Sequence, residues 1–270
     1  MQSSVQTERV QSFSAKHFEA FGLALRNSEE RGRHVCVGSQ KGATKGSFLF
    51  RAQPYAAVLR PAFAHSHCRY CFAKLKKAKR EERVACESPA VPCSKGCKYA
   101  FYCNRDCERT DWEMWHEMEC EGLRNIYPPT MPNENVMLMW RVVNRRRKEQ
   151  QRHEGEVTWE VIDFMITHRQ DYDPQEINHF EYLVERYFIP FLDEGTTKEH
   201  IVSFFCFFFC NNFTIYDTTP NSIGLGVYPS GALMNHSCRP NTAVTFEGNV
   251  ALIRAIEDVS PSGEITINYM

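Results

Sequence analysis

Between residues 68 and 120 the chain reads Cys68-x2-Cys71, Cys93-x3-Cys97, Cys103-x3-Cys107 and His116-x3-Cys120, and nothing else in it restricts folding as strongly. Thiolate and imidazole donors paired two to four residues apart are what tetrahedral zinc requires, because one short turn or one helical turn brings both donors to the same ion. Eight donors suit two ions. A chance cluster of core cysteines is a poor alternative, since 8 of the 12 cysteines crowd into this segment. Cys86 is the surplus member and stands close enough to Cys93 to replace it as a ligand. Structural zinc contributes roughly 10 to 16 kcal/mol of apparent binding free energy in small modules, enough to fold a segment this poor in apolar residues. The stretch RDCERTDWEMWHEMEC has a helical register that puts His116 and Cys120 on one face, and Cys103 and Cys107 are expected to share a face likewise.

Around this cluster the 270 residues, 43% of them hydrophobic, suffice for one large domain or two smaller ones with true cores. A formal net charge of -1 excludes a chain-wide surface for polyanions. Two runs are locally basic, KLKKAKREER (Lys74 to Arg83) and RVVNRRRKEQQR (Arg141 to Arg152). The first has three readings: a solvated loop, a nuclear localisation or nucleic-acid patch, and a partner surface. The opening residues lack the apolar stretch of a secretory signal, so an intracellular location, nucleus or cytoplasm, is expected, where thiols stay reduced. The most apolar run, IVSFFCFFFC (Ile201 to Cys210), is about half the length needed to cross a bilayer and reads as a buried helix. No membrane partner is expected, and Cys206 and Cys210 read as inert thiols acting as small hydrophobes.

Periodicity predicts strands at RGRHVCVGSQKG and SFLFRAQPYAAVL before the cluster. After it, PNENVMLMWRVVNRRRK, PQEINHFEYLVERYFIPFL and TKEHIVSFFCFFFCNNF show the three-to-four spacing of helices. Strands return with NTAVTFE, a tight Gly248-Asn249 turn, VALIRAI and ITINY. The order suggests one β-rich body carrying two insertions.

The cysteine segment resembles the MYND zinc finger, with FYCNRDC and WEMWHEMEC in the places of that family's closing pairs. The resemblance implies Cys68, Cys71, Cys103 and Cys107 on one zinc and Cys93, Cys97, His116 and Cys120 on the other. CSKGC has one residue more than the family's usual second pair, and Gly96, free to take positive φ, is the accommodation. From about Arg31 to Met270 the chain resembles the SET domain, through GRH (Gly32 to His34), NNFTI (Asn211 to Ile215), GLGVYPSGALMNHSCRPN and the closing GEITINY. Finger and SET motifs together resemble the SET and MYND family of protein lysine methyltransferases. The implied fold is α+β, a β-rich SET fold interrupted by a two-zinc MYND finger and a helical insertion. Its expected limits are residues 1–66 for the N-terminal part of the SET domain, 67–121 for the finger, 122–210 for the helical insertion and 211–270 for the C-terminal SET core.

That family implies S-adenosylmethionine-dependent N-methylation of a lysine on a histone or non-histone protein, with S-adenosylmethionine and two zinc ions as cofactors. Tyr269 takes the catalytic hydroxyl; Gly32, Arg33, His34, Asn211, Asn235 and His236 the cofactor; Phe213 and Tyr228 the lysine channel, with His168 near the same pocket. The chemistry needs a neutral amine, which costs roughly 4 kcal/mol at physiological pH and which an apolar aromatic channel offsets. His34 stands where the family has glycine. The family also continues past its closing tyrosine with three cysteines that share a third zinc with the residue equivalent to Cys238, and with a helical region; this sequence stops one residue after Tyr269. The form is therefore expected to be incomplete or weakly active. The alternative from another class is a catalytically silent adaptor or transcription regulator whose finger binds a proline-rich partner peptide.

Overall fold

The computed structural model describes residues 16–75, 90–128, 130, 133–152, 162, 165, 167–189, 192 and 196–269. Most of the basic insert Lys74 to Arg83, and Cys86, lie outside them. In the first half the elements are β1 (Leu23–Ser28), β2 (Gly32–Val37), β3 (Phe48–Ala52), β4 (Ala56–Leu59), β5 (Val91–Pro92), β6 (Phe101–Tyr102), α1 (Arg105–Asp111) and α2 (Glu117–Ile126). Then come α3 (Glu134–Arg152), α4 (Pro174–Tyr187), α5 (Lys198–Asn211), β7 (Asn212–Tyr216), β8 (Ser222–Val227), β9 (Asn235–His236), β10 (Thr242–Glu247), β11 (Val250–Ala255) and β12 (Thr266–Ile267). They form two compact units, neither continuous in sequence.

The first unit comprises the described residues of Met1–Tyr55, Glu149–Ile166 and Val227–Met270. β1 and β2 pair antiparallel from Leu23↔Val37 to Ser28↔Gly32. β1 escaped the sequence reading because LALRNS holds no β-branched or aromatic residue. The loop between the strands closes on Gly32, whose φ of 61° is the left-handed conformation that a three-residue hairpin loop ends on. β10, β11 and β3 make an antiparallel sheet in that order, with a slip at Ile253/Arg254 where β11 meets β3. β9 and β12 pair in parallel, Asn235↔Thr266 and His236↔Ile267. Phe18, Val35, Phe50, Ile253 and Ile265 are fully buried, each stabilising the body by roughly 1.5–3 kcal/mol. Phe18 meets Phe50 edge-on with ring centroids 5.3 Å apart.

The second unit comprises the described residues of Ala56–Lys148 and Thr167–Gly226. Its sheet runs β4-β8-β7, and β5 pairs with β6. SFLFRAQPYAAVL, expected as one strand, is two, β3 and β4, with a break around Pro54. Helix starts follow the sequence closely. Asp173 and Glu176 form a capping box around Pro174, and Thr197 caps α5 by accepting from the His200 N–H. The apolar run is indeed the buried helix α5, with Phe205, Cys206, Phe207 and Phe208 inside, although Cys210 at its end is exposed rather than packed. Within the basic run that begins at Arg141, Arg141 and Arg146 are buried, and Arg146 lies over the Phe204 ring at 5.6 Å. No helix among the described residues is long and apolar enough to cross a membrane.

Candidate functional site

The eight finger donors gather into two groups, Cys68, Cys71, Cys103 and Cys107 in one and Cys93, Cys97, His116 and Cys120 in the other, with the ligand atoms of each group within 4.8 Å of one another. A tetrahedron of thiolates about 2.3 Å from zinc has edges of about 3.8 Å. The Sγ atoms of Cys71 and Cys103 are 3.7 Å apart and those of Cys93 and Cys120 are 3.8 Å apart, the edge of such a tetrahedron and far too long for a disulfide. His116 Nε2 lies 3.3 Å from Cys93 Sγ and 3.4 Å from Cys97 Sγ. Burial, aided by the nearby Arg69, holds the imidazole down to about 3, so it is neutral and its lone pair is available to a metal. The donor sets fit zinc.

Local sequence explains the knuckles. Gly96 turns at φ 74° between Cys93 and Cys97, a conformation in which a side chain is strained. Asn104 caps α1 by accepting the Cys107 N–H at 2.8 Å, so Cys103 stands before the helix and only Cys107 on it, not both on one helical face as the register suggested. His116 closes a short π-helical segment and Cys120 lies on α2.

Between and behind the two groups sits a buried quartet of charges that sequence reasoning missed. Arg69, flanked by Cys68 and Cys71, donates from Nε to Asp111 at 3.1 Å and from Nη2 to Glu119. Arg141 of α3 donates to both oxygens of Glu119, at 2.9 and 3.1 Å, and to the Ala57 carbonyl of β4 at 2.5 Å. The Tyr102 hydroxyl donates to Asp111 at 2.8 Å. Burial alone would raise the Glu119 carboxyl, but Arg141 and Arg69 outweigh it and hold Glu119 down to about 2. Charges in such letters normally mark a solvated face, so no local signal distinguished these four.

In the first unit the pairing of β9 with β12 brings His236 to Tyr269, their ring centroids 5.3 Å apart. The Tyr269 N–H donates to His236 Nδ1 at 3.2 Å, which places the ring proton on Nε2, 3.3 Å from Cys238 Sγ. The Tyr269 hydroxyl donates to the Met234 carbonyl at 2.6 Å, and burial together with the charge of Glu264 pushes the phenol up. Asn235 donates from Nδ2 to the Arg31 carbonyl at 3.1 Å and to Glu264 Oε1 at 2.9 Å, and Arg31 Nε pairs with Glu264 Oε2 at 2.9 Å. The hairpin loop before Gly32 is thereby tied to the Asn235 side chain, both of whose N–H bonds are engaged. Asn241 clamps the closing segment, accepting from the Thr266 N–H at 2.9 Å and donating to the Glu264 carbonyl at 2.8 Å. Neither Glu264 nor Asn241 was singled out from sequence, although both lie inside the quoted motifs.

His34 lies in β2 opposite Arg26 and is not among the residues of positive φ; its Nδ1 is 2.8 Å from the Gly32 carbonyl. The side chain at this position, where the family has glycine, therefore sits on ordinary strand backbone. Burial draws the Arg33 guanidinium down. Tyr228 is fully buried, its ring beside Phe246 and its hydroxyl donating to the Asn249 carbonyl at 2.6 Å. Asn211 and Phe213 stand in the second unit, at the end of α5 and in β7; Asn211 donates to the Phe207 carbonyl at 2.8 Å. His168, also in that unit, takes a left-handed φ of 49° and pairs with Asp171 at 3.1 Å.

Comparison with known proteins follows the same lines. The SET domain family model matches residues 35–270. N-lysine methyltransferase SMYD2-A of Xenopus laevis is 31% identical over 92% of this chain and 54% of its own length. SMYD2-B of Danio rerio is 30% identical over 92% and 54%, and SMYD2 of Homo sapiens 30% over 83% and 49%. The chain thus spans about half the length of the curated relatives it matches. A solved structure of Rubisco LSMT bound to AdoMet covers 100% of this chain and 53% of that one at 11% identity with a TM-score of 0.48, a likeness too distant to carry an argument.

Proposed function

Because the chain belongs to the SET domain family and is about 30% identical to N-lysine methyltransferases over most of its length, we propose that it serves S-adenosylmethionine-dependent N-methylation of a lysine on a protein substrate. The observation that carries the reading is the cluster of Tyr269, His236, Asn235 and Gly32 in one unit, joined through Met234, Glu264 and Arg31. Bound S-adenosylmethionine would supply an activated methyl group. The residues fit such a guest: with both N–H bonds of Asn235 engaged, its Oδ1 is turned to accept from a donor such as an ammonium. Nothing lies within 4 Å of where a Cβ would stand on Gly32, so a ligand can approach that backbone closely.

Each residue then has a task. Asn235 and the backbone at His236 hold the methyl donor. His236, with its Nδ1 accepting from the Tyr269 backbone, positions the tyrosine and does not act as a base. Tyr269, its hydroxyl anchored on the Met234 carbonyl, orients the substrate amine and keeps it in line with the methyl group. Phe213 and Tyr228 as channel walls, and Asn211, Arg33 and His34 toward the cofactor, rest on the family resemblance alone.

Calorimetry of the zinc-loaded protein with S-adenosylmethionine, followed by methyl transfer to protein, tests the reading. We expect binding, and transfer that Tyr269→Phe lowers at least about a hundredfold while cofactor affinity stays within about twofold. Absence of cofactor binding would overturn it and favour the adaptor, a reading supported by a finger whose donor sets and buried charges are complete in themselves. In that case a proline-rich peptide is the ligand to titrate. A nuclear or cytoplasmic location belongs to the same proposal, and imaging of tagged protein checks it. Nucleic-acid contact through Lys74 to Arg83 would show as affinity falling steeply with salt.

A further inference from the structure

We propose that the groove between the start of α4 and the end of α5 is a binding site for a methylated lysine side chain, distinct from the cluster around Tyr269. The groove holds about 430 Å³ and is lined by Tyr172, Gln175, Glu176, His179, Phe180 and Phe209. Four of these six are aromatic and one carries a carboxylate.

The rings are fixed in a corner. Phe180 is stacked with both Phe205 and Phe209, at 5.5 and 5.6 Å with interplanar angles of 11° and 15°. Tyr172 meets Phe180 at 5.6 Å and 68°, and His179 meets it at 6.4 Å and 52°. The Tyr172 hydroxyl donates to the Cys206 carbonyl at 3.0 Å, which turns that ring away from free rotation. Phe209 is 49% exposed at the rim, an unusual place for a phenylalanine at the end of a buried helix. A greasy wall alone would suit many guests. The charge narrows the choice.

Glu176 lines the groove, and Asp171 and Asp173 precede it by a few residues in the chain. The positive end of α4 would repel a cation there, but the capping box satisfies its first N–H groups with Asp173, and Glu176 adds a negative charge one turn below Phe180. Aromatic faces beside a carboxylate favour a cation that is weakly hydrated and spread over carbon. An unmodified lysine ammonium keeps its water; methyl groups strip that water and widen the charge to match the ring faces. Methylammonium is thus a better guest than ammonium or a neutral alkyl group. The site makes no demand on methyl transfer, so its test and that of the enzymatic reading fail separately.

Three short peptides, alike except at one residue, would be titrated against the zinc-loaded chain by fluorescence anisotropy. One carries trimethyl-lysine, one its uncharged carbon isostere with a tert-butyl end, and one plain lysine. We expect the trimethyl form to bind about fivefold tighter than the isostere, and tighter than plain lysine. Phe209→Ala, at an exposed rim, should abolish that preference. Glu176→Gln should halve it or more while keeping the capping box, which glutamine also forms. Equal affinity for cation and isostere would reduce the groove to an apolar surface and overturn the proposal. So would tighter binding of plain lysine, no binding of any peptide, or a preference that survives both substitutions.

Discussion

In the finger, thiols, an imidazole and an aspartate (Cys68, Cys97, His116 and Asp111) are fully buried beside Ala100 and Tyr102; in the strand body Phe18, Val35, Phe50, Ile253 and Ile265 are among the fully buried side chains. An apolar core is held by many small and nearly independent contributions, so it weakens a little with each loss. A core of ligands and charges is held by a few large and mutually dependent ones. Losing one member leaves another buried without its partner, and the cost of that orphan exceeds the value of the contact removed. The two regions should therefore fail in different ways under the same insult.

Chelation is the strongest way to force the contrast. Removing zinc with excess chelator should take away the roughly 10 to 16 kcal/mol on which the finger depends. Hydrogen exchange should then show protection lost across α1 and α2 while the β10-β11 hairpin stays protected. Equal loss in both would show that the finger is no separate cooperative part. Zinc analysis before chelation should return two ions per chain.

Next in size is Arg141→Met, which leaves Glu119 and Asp111 facing a single buried cation. We expect a loss of about 3–5 kcal/mol in denaturant unfolding. A loss under about 1 kcal/mol would mean that water reaches the acids. Acid probes the same groups without mutation. His116 is held down to about 3 from 6.5, so as pH falls through 6.5 the unfolded chain takes up a proton that the folded finger refuses, and stability is lost progressively toward pH 3. Glu119, held down to about 2 from 4.5, contributes stability above pH 4.5 that disappears as pH falls toward 2. Both act in one direction, so zinc release and loss of finger protection should precede melting of the strand body on titration from pH 7.5 to 4.

The smallest effect belongs to the strand body. Asn241→Ala removes the clamp on the Thr266 N–H and the Glu264 carbonyl, costing about 1–3 kcal/mol. Thermal melting should register it with zinc content unchanged at two, and a zinc loss would blur the distinction drawn between the two regions.

Legibility in the sequence followed the same divide. Ligand pairs three or four residues apart are local, and so are the helix starts at Pro174 and Thr197, so spacing and residue type announced them; the Asp173 cap came from the structure. The sharing of pairs between two ions came from family resemblance, since spacing alone permits other groupings. β1 was missed because its residues have no strand preference, and its pairing with β2 supplied what propensity did not. The run of α3 read only as locally basic, and it took the fold to give Arg141 two acids and Arg146 an aromatic face.

By itself the sequence determined much of what is local: four donor pairs, the four helical stretches, and a closing strand ending in tyrosine. Those follow from the fixed geometry of a turn or a helix, which needs no knowledge of the rest of the chain. Only the tertiary structure decided that Arg69 and Arg141 share Glu119, that Asn235 binds the loop before Gly32, that His236 carries its proton on Nε2, and that Phe209 ends in an aromatic corner with Tyr172 and Phe180. Each joins residues far apart in the chain, and a long-range contact is specified by what every intervening segment does rather than by any one of them.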